Sequence, residues 1–150
     1  MKVSILIDES LTEEEIIIKC PVFNERTSKI QQKILDITSG SAKIIFHKDN
    51  KDYYLDVDNI LFFEIEDNIC YAHTLNDIYL VKYRLYELED ILPKNFVRIS
   101  KGAIVNINRI LAISSSFGGS TLIEFNKSHK QVYVSRRYIK LLKYRLKERR

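Results

Sequence analysis

Over most of its length the chain's hydrophobic and polar positions alternate on a short period, which predicts strands. Tyr53, Leu55 and Val57 alternate with Asp52, Tyr54 and Asp56, the pattern of a half-buried strand. Runs at 43–48 and 51–57 flank Asp49-Asn50, a two-residue hairpin signal. Further strands are expected at 60–65, 70–75 and 78–83, separated by Glu66-Asp67-Asn68 and Asn76-Asp77. A short helix over 84–92 ends at Pro93. Strands resume at 96–99, 109–114, 121–125 and 131–134, with turns at Gly118-Gly119 and Asn126-Lys127. Eight or more short strands with few helices predict a mainly β (α+β) domain, built from two or three small sheets.

The two ends of the chain read differently. Residues 1–42 are expected to form a small β-β-α appendage. Val3 to Ile7 and Ile16 to Cys20 are apolar runs rich in β-branched residues, and Ile30, Ile34 and Ile37 recur at helical spacing after Asn24, a candidate cap. That helix is expected to stop at Ser39-Gly40. The second domain spans 43–150 and closes with a helix after Ser135, another candidate cap. Ile139, Leu142 and Leu146 form one face of this helix, widened by Tyr138 and Leu141. Arg136, Lys140, Lys143 and Lys147 form a separate basic stripe.

Net charge sharpens the division. The total is +4, but residues 1–42 hold 5 Lys/Arg against 7 Asp/Glu, residues 43–92 hold 5 against 11, and residues 93–150 hold 14 against 2. The last third is therefore built to meet an anion. Asp8-Glu9 interrupts the opening apolar run too early for a secretory signal, and no run approaches a membrane-spanning length. Cys20 and Cys70 show no metal-binding or redox spacing, which reads as reduced thiols of a cytoplasmic protein. His47, His73 and His129 are scattered, and the four glycines form no phosphate-cradling motif, so no enzyme, no cofactor and no metal is expected.

Two basic stretches carry the candidate chemistry. In 96–110, apolar residues surround Arg98, Ser100 and Lys101, with Gly102 expected to permit a tight turn or close backbone approach. In 132–143, Arg136 and Arg137 occupy the first turn of the last helix, where the helix dipole disfavours cations by about 0.3–1 kcal/mol each. That placement makes sense if an anion completes the site, since free N–H groups at a helix start bind phosphate. Arginine can also bond guanine bidentately in a major groove.

Residues 43–148 resemble the LytTR domain, the DNA-binding output domain of bacterial LytR/AgrA-type transcription regulators. The likeness rests on Ile60-Leu61-Phe62-Phe63-Glu64, on the Arg98-x-Ser100-Lys101 and Ile104-Val105-Asn106 elements, and on Val134-Ser135-Arg136-Arg137 before the last helix. It implies an elongated arrangement of small β-sheets with short helices, whose loops enter successive major grooves of double-stranded DNA. Carried over, Lys101 with Ser100 would meet one groove. Arg137 would meet another, with Ser135, Arg136 and Lys140 beside it on phosphate. The third loop is Glu66-Asp67-Asn68, where relatives often offer His, Lys or Arg; Asn68 is the position left to contact DNA, while the two acids oppose phosphate. Asn106 reads as a structural hydrogen-bonding residue. The resemblance further implies a homodimer on promoter repeats and a functional link to a small membrane protein, without membrane insertion. The short leader resembles that of compact family members without a receiver domain; the opening Ile5-Leu6-Ile7-Asp8-Glu9 is like a receiver's first strand and acidic pocket, but 42 residues are too few for one.

Two other functions are compatible with the residues. Tyr133, Tyr138 and Phe117 beside the basic face could stack single-stranded RNA bases. Asp56, Asp58, Glu64 and Glu66 could approach a cation in a metal-dependent enzyme.

Overall fold

A computed structural model describes residues 1–38, 43–115 and 118–149. The chain divides into two compact units, Met1–Leu35 and Asp36–Arg150.

The first unit is not β-β-α. Its only regular element is the start of helix α1 (Glu25–Thr38), and neither 3–7 nor 16–20 forms a strand. β-branched residues favour a strand only when a neighbour completes the ladder, and these two runs have none. Helix α1 starts where the cap was expected: Asn24 Oδ1 accepts from the Thr27 N–H at 3.0 Å. None of its residues is fully buried. The expected stop at Ser39-Gly40 lies outside the described residues.

Among its described residues the second unit holds ten strands: β1 (Phe46–Lys48), β2 (Lys51–Tyr53), β3 (Phe62–Glu66), β4 (Ile69–His73), β5 (Ile78–Val81), β6 (Phe96–Ser100), β7 (Ala103–Asn106), β8 (Ile110–Ser115), β9 (Thr121–Phe125) and β10 (Gln131–Val134). Helix α2 (Leu85–Ile91) and helix α3 (Arg136–Glu148) complete it. The strands form a seven-stranded sheet ordered β2-β1-β5-β4-β3-β7-β6 and a three-stranded sheet ordered β10-β9-β8. Every pairing is antiparallel.

Local turn chemistry sets the hairpins. Asp49 and Asn50 have φ of 51° and 59°, and Asp67 and Asn68 of 50° and 63°, the left-handed pair that matches strand twist in a two-residue hairpin. The expected strand over 51–57 stops at Tyr53, because Asp56 Oδ1 accepts from the Asp58 N–H at 3.0 Å and starts a single 3-10 turn over Val57–Asn59.

The large sheet is covered on both faces at its β3-β7-β6 end. Ile60, Phe63, Phe96 and Ile104 pack with Leu85 and Leu88 of α2 in one core. Phe62, Val97, Ile99, Ala103 and Val105 face a second core, with Ile123, Phe125, Val132 and Val134 of the small sheet and Leu142 of α3. All four residues of β7 are buried, so the run shows no polar alternation and reads poorly as a strand. Asn106 ends it. Buried to 1% exposure, it donates from Nδ2 to the Ile60 carbonyl at 3.0 Å, and its Oδ1 accepts from Asn95 Nδ2 at 2.8 Å and the Asn108 N–H at 3.1 Å. This is the structural role expected of it.

Candidate nucleic-acid interface

The Ser100-Lys101-Gly102 turn joins β6 to β7. The Ser100 hydroxyl oxygen accepts from the Gly102 N–H at 3.1 Å, and Lys101 is exposed. Arg98, on β6, braces this turn from behind. Its Nε donates to the Ser100 carbonyl at 2.6 Å, Nη2 donates to the Lys101 carbonyl, and Nη1 pairs with Glu89 of α2. Gly102 is not there for its torsions: it lies outside the left-handed region, and an added Cβ would meet only the Ile65 Cβ at 3.9 Å. The expectation of a glycine-dependent turn is thereby corrected.

Long-range hydrogen bonds bring the other two candidate segments to this turn. The Ile65 N–H, just before the β3–β4 turn, donates to the Gly102 carbonyl at 2.8 Å. Asn68 therefore sits on the turn of the neighbouring hairpin at the same sheet end as Lys101. On the other side, the register of β6 and β7 slips between Arg98 and Ser100. The bulge leaves the Ile99 carbonyl outside the ladder, and it accepts from the Ser135 N–H at 2.9 Å. The start of α3 is tied in this way to the residue two places before Lys101.

Ser135 occupies the N-cap position, but its side chain makes no cap hydrogen bond. The first-turn N–H groups of α3 thus lack the usual side-chain acceptor, and Arg136 and Arg137 stand exposed above them. Lys140, one turn on from Arg136, is exposed too. Leu142 anchors α3, with Tyr138, Ile139 and Leu146 packed around it, whereas Leu141, expected on the same face, is 44% exposed.

Several cations of the basic third are engaged internally, which sequence reading could not distinguish. Arg109 donates from Nε to the Asp58 carbonyl at 2.7 Å. Lys130 donates to the Asp77 carbonyl at 2.7 Å, Arg149 to the Ile107 carbonyl at 2.6 Å, and Arg145 to the Lys94 carbonyl. By contrast, Lys101, Arg136, Arg137 and Lys140 form no ion pair among the described residues. Gly119, in the turn expected at Gly118-Gly119 but not expected at the site, reaches the same place: a Cβ added there would lie 2.7 Å from Arg136 Nη2. Gly118 and Gly119 have φ of 97° and 84°, so the Gly-Gly pair was the available signal.

Other reactive groups do not assemble. Among the described residues no three His, Cys, Asp or Glu side chains could hold a metal together. Burial pushes the Cys70 thiol up to about 12, leaving it uncharged. His73 is lowered to about 4, first by burial and then by the positive charge of Lys130. It stacks on Phe62 at 4.2 Å, and its 3.8 Å approach to Glu64 is accordingly no ion pair at neutral pH. Of the candidate stacking aromatics, Tyr133 is exposed, Tyr138 packs against the second core, and Phe117 lies outside the described residues. No helix among the described residues is long and apolar enough to cross a membrane.

Two hairpin turns, Gly119 and an uncapped, arginine-bearing helix start at one end of stacked antiparallel sheets define a class. A family model described as the LytTr DNA-binding domain matches residues 50–147, and the chain belongs to that family. Over 146 residues it is 32% identical to an uncharacterized HTH-type transcriptional regulator of Staphylococcus aureus strain NCTC 8325, covering 97% of this chain and 98% of that protein. The regulator of the same description from strain MRSA252 matches to the same extent. Among solved structures, the LytTr DNA-binding domain of a Bacillus cereus response regulator superposes with a TM-score of 0.64 at 24% identity, over 69% of this chain and 96% of that one. The relatives' names speak of a helix-turn-helix. Among the described residues of this chain five strands separate α1 from α2 and five more separate α2 from α3.

Proposed function

We propose that this protein is a transcription regulator that binds double-stranded DNA sequence-specifically through turns rather than a recognition helix. The observation that carries the reading is the Gly102–Ile65 and Ile99–Ser135 pair of hydrogen bonds, which joins three candidate segments beside exposed cations that form no ion pair among the described residues. Lys101 and Arg137 enter successive major grooves and contact bases. Ser100, Ser135, Arg136 and Lys140 hold phosphates, and Asn68 reaches DNA from the acidic hairpin. Phosphate contacts supply most of the affinity and base contacts the selectivity. The protein acts in the cytoplasm as a homodimer on repeated promoter half-sites and catalyses no reaction.

The test is fluorescence anisotropy on promoter fragments, including the protein's own, across a salt titration. Neutralising about four to six phosphates gives a log–log slope of about −4 to −5. Arg137→Ala should cost about 1–3 kcal/mol on the cognate site and much less on unrelated duplex. A flat salt profile, or affinity that survives Lys101→Ala and Arg137→Ala together, would refute the assignment. A preference for single-stranded RNA over duplex DNA would replace it.

A further inference from the structure

We propose that two copies of this chain pair through residues 2–8, as an antiparallel two-stranded ribbon centred on Ile5. The proposal supplies an interface for the dimer invoked above and rests on that reading only for the number of copies.

The first unit presents strand-forming residues with nothing to pair to. Val3, Ile5, Leu6 and Ile7 are 82%, 91%, 91% and 86% exposed. Among the described residues, no backbone hydrogen bond ties residues 3–7 to another segment. An unpaired strand-forming segment, like an open sheet edge, is a template for another chain. Ile16, Ile17, Val22 and Phe23 are each more than 60% exposed in the same unit. Eight such side chains, at about 100 Å² each, offer on the order of 800 Å² per copy. That is the area one partner contributes to a stable interface. Monomers rarely expose this much apolar surface without a use for it.

Charge selects a second copy over the chain itself. Folding 3–7 back on 16–20 with apolar residues matched, Ile7 opposite Ile16, would set Asp8 opposite Glu15 and Glu9 opposite Glu14. Like charges directly opposite one another are destabilising in an antiparallel pair. Self-pairing about Ile5 does the reverse. Lys2 falls opposite Asp8 of the second copy, Val3 opposite Ile7, and Ile5 opposite Ile5. A parallel pairing would set Lys2 against Lys2 and Asp8 against Asp8. The antiparallel arrangement is also the one a two-fold axis generates, the commonest symmetry of homodimers. A two-stranded ribbon needs an apolar cover on one face, and the exposed residues of 16–23 are available to give it.

The experiment uses the full chain. Sedimentation equilibrium should show a dimer. Asp8→Lys should weaken it at least tenfold, and adding Lys2→Asp should restore it, since only antiparallel pairing joins position 2 to position 8. Ile5→Cys in a Cys20→Ser background should cross-link to a covalent dimer on oxidation, whereas Val3→Cys should not. All these positions are exposed, and circular dichroism checks that each variant keeps its fold. A wild type that stays monomeric, or equal cross-linking at positions 3 and 5, overturns the proposal. Anisotropy on a duplex with one half-site separates the two readings. A monomer that still binds this duplex refutes the ribbon alone, and a charge-swappable dimer that ignores DNA supports the ribbon while refuting the function.

Discussion

Asn106 tests whether the asparagine of the Ile104-Val105-Asn106 element reads DNA or holds the fold. Leucine has nearly the same shape but makes none of its hydrogen bonds, so Asn106→Leu deletes four at once, the longest a 3.5 Å bond to the Asp58 carbonyl, which keeps its Arg109 donor. The Ile60 carbonyl would lose its side-chain donor at a buried position, which costs about 1–3 kcal/mol. Asn95 is half-buried and Asn108 is exposed, so water replaces their lost partner and each adds roughly 0.5 kcal/mol. The sum is about 2–4 kcal/mol, a large share of the 5–15 kcal/mol typical of a domain. Urea unfolding followed by circular dichroism reads this as a lower midpoint at constant slope. The folded variant should bind promoter DNA within about twofold of wild type. A loss below about 1 kcal/mol, or a selective loss of DNA binding at unchanged stability, would refute the structural assignment.

Three further predictions follow from contacts in the same unit. The two turn glycines should behave oppositely: Gly102→Ala should leave unfolding midpoint and DNA affinity unchanged. Gly119→Ala should cost about 1–2 kcal/mol through its positive φ and lower DNA affinity by displacing Arg136, as thermal unfolding and anisotropy would show. Arg98→Ala should reduce DNA affinity almost as much as Lys101→Ala, because it releases the turn that carries Lys101. A double-mutant cycle should find the two non-additive, and full additivity would refute the bracing role. For His73 the folded state stays neutral down to about pH 4, while the unfolded chain takes up a proton near 6.5. The unfolded state thus binds more protons in that window, so stability is fully present above about pH 6.5 and falls as pH drops towards 4. Allowing for screening at a side chain that is 13% exposed, urea titrations should find about 1–2 kcal/mol lost between pH 7 and about pH 5, a slope His73→Phe abolishes.

Much of the second unit follows from local physics. Strand alternation, the Asp49-Asn50 and Asp67-Asn68 turns and the face of α3 that carries Leu142 depend on residues within a few positions of one another. Torsional preference and side-chain period act at that range, so they can be read directly from the residues. The segregation of positive charge into the last third is likewise a property of the chain. What escaped were the features decided by partners distant in sequence. Strand β7 lost its polar alternation because both its faces are buried by segments from elsewhere. Val3–Ile7 has the composition of a strand but no neighbour in its own copy. Charge density marked fourteen cations without telling Arg98 and Arg109, which hold backbone carbonyls, from Lys101 and Arg137, which face solvent. Only the tertiary structure makes that distinction, because a carbonyl acceptor 51 residues away, such as Asp58 for Arg109, leaves no trace in local pattern. The same holds for the candidate site: each turn is encoded locally, but their gathering at one sheet end depends on hydrogen bonds between segments distant in sequence, from Ile65 to Gly102 once β3 pairs with β7 and from Ser135 to Ile99 once the start of α3 reaches β6.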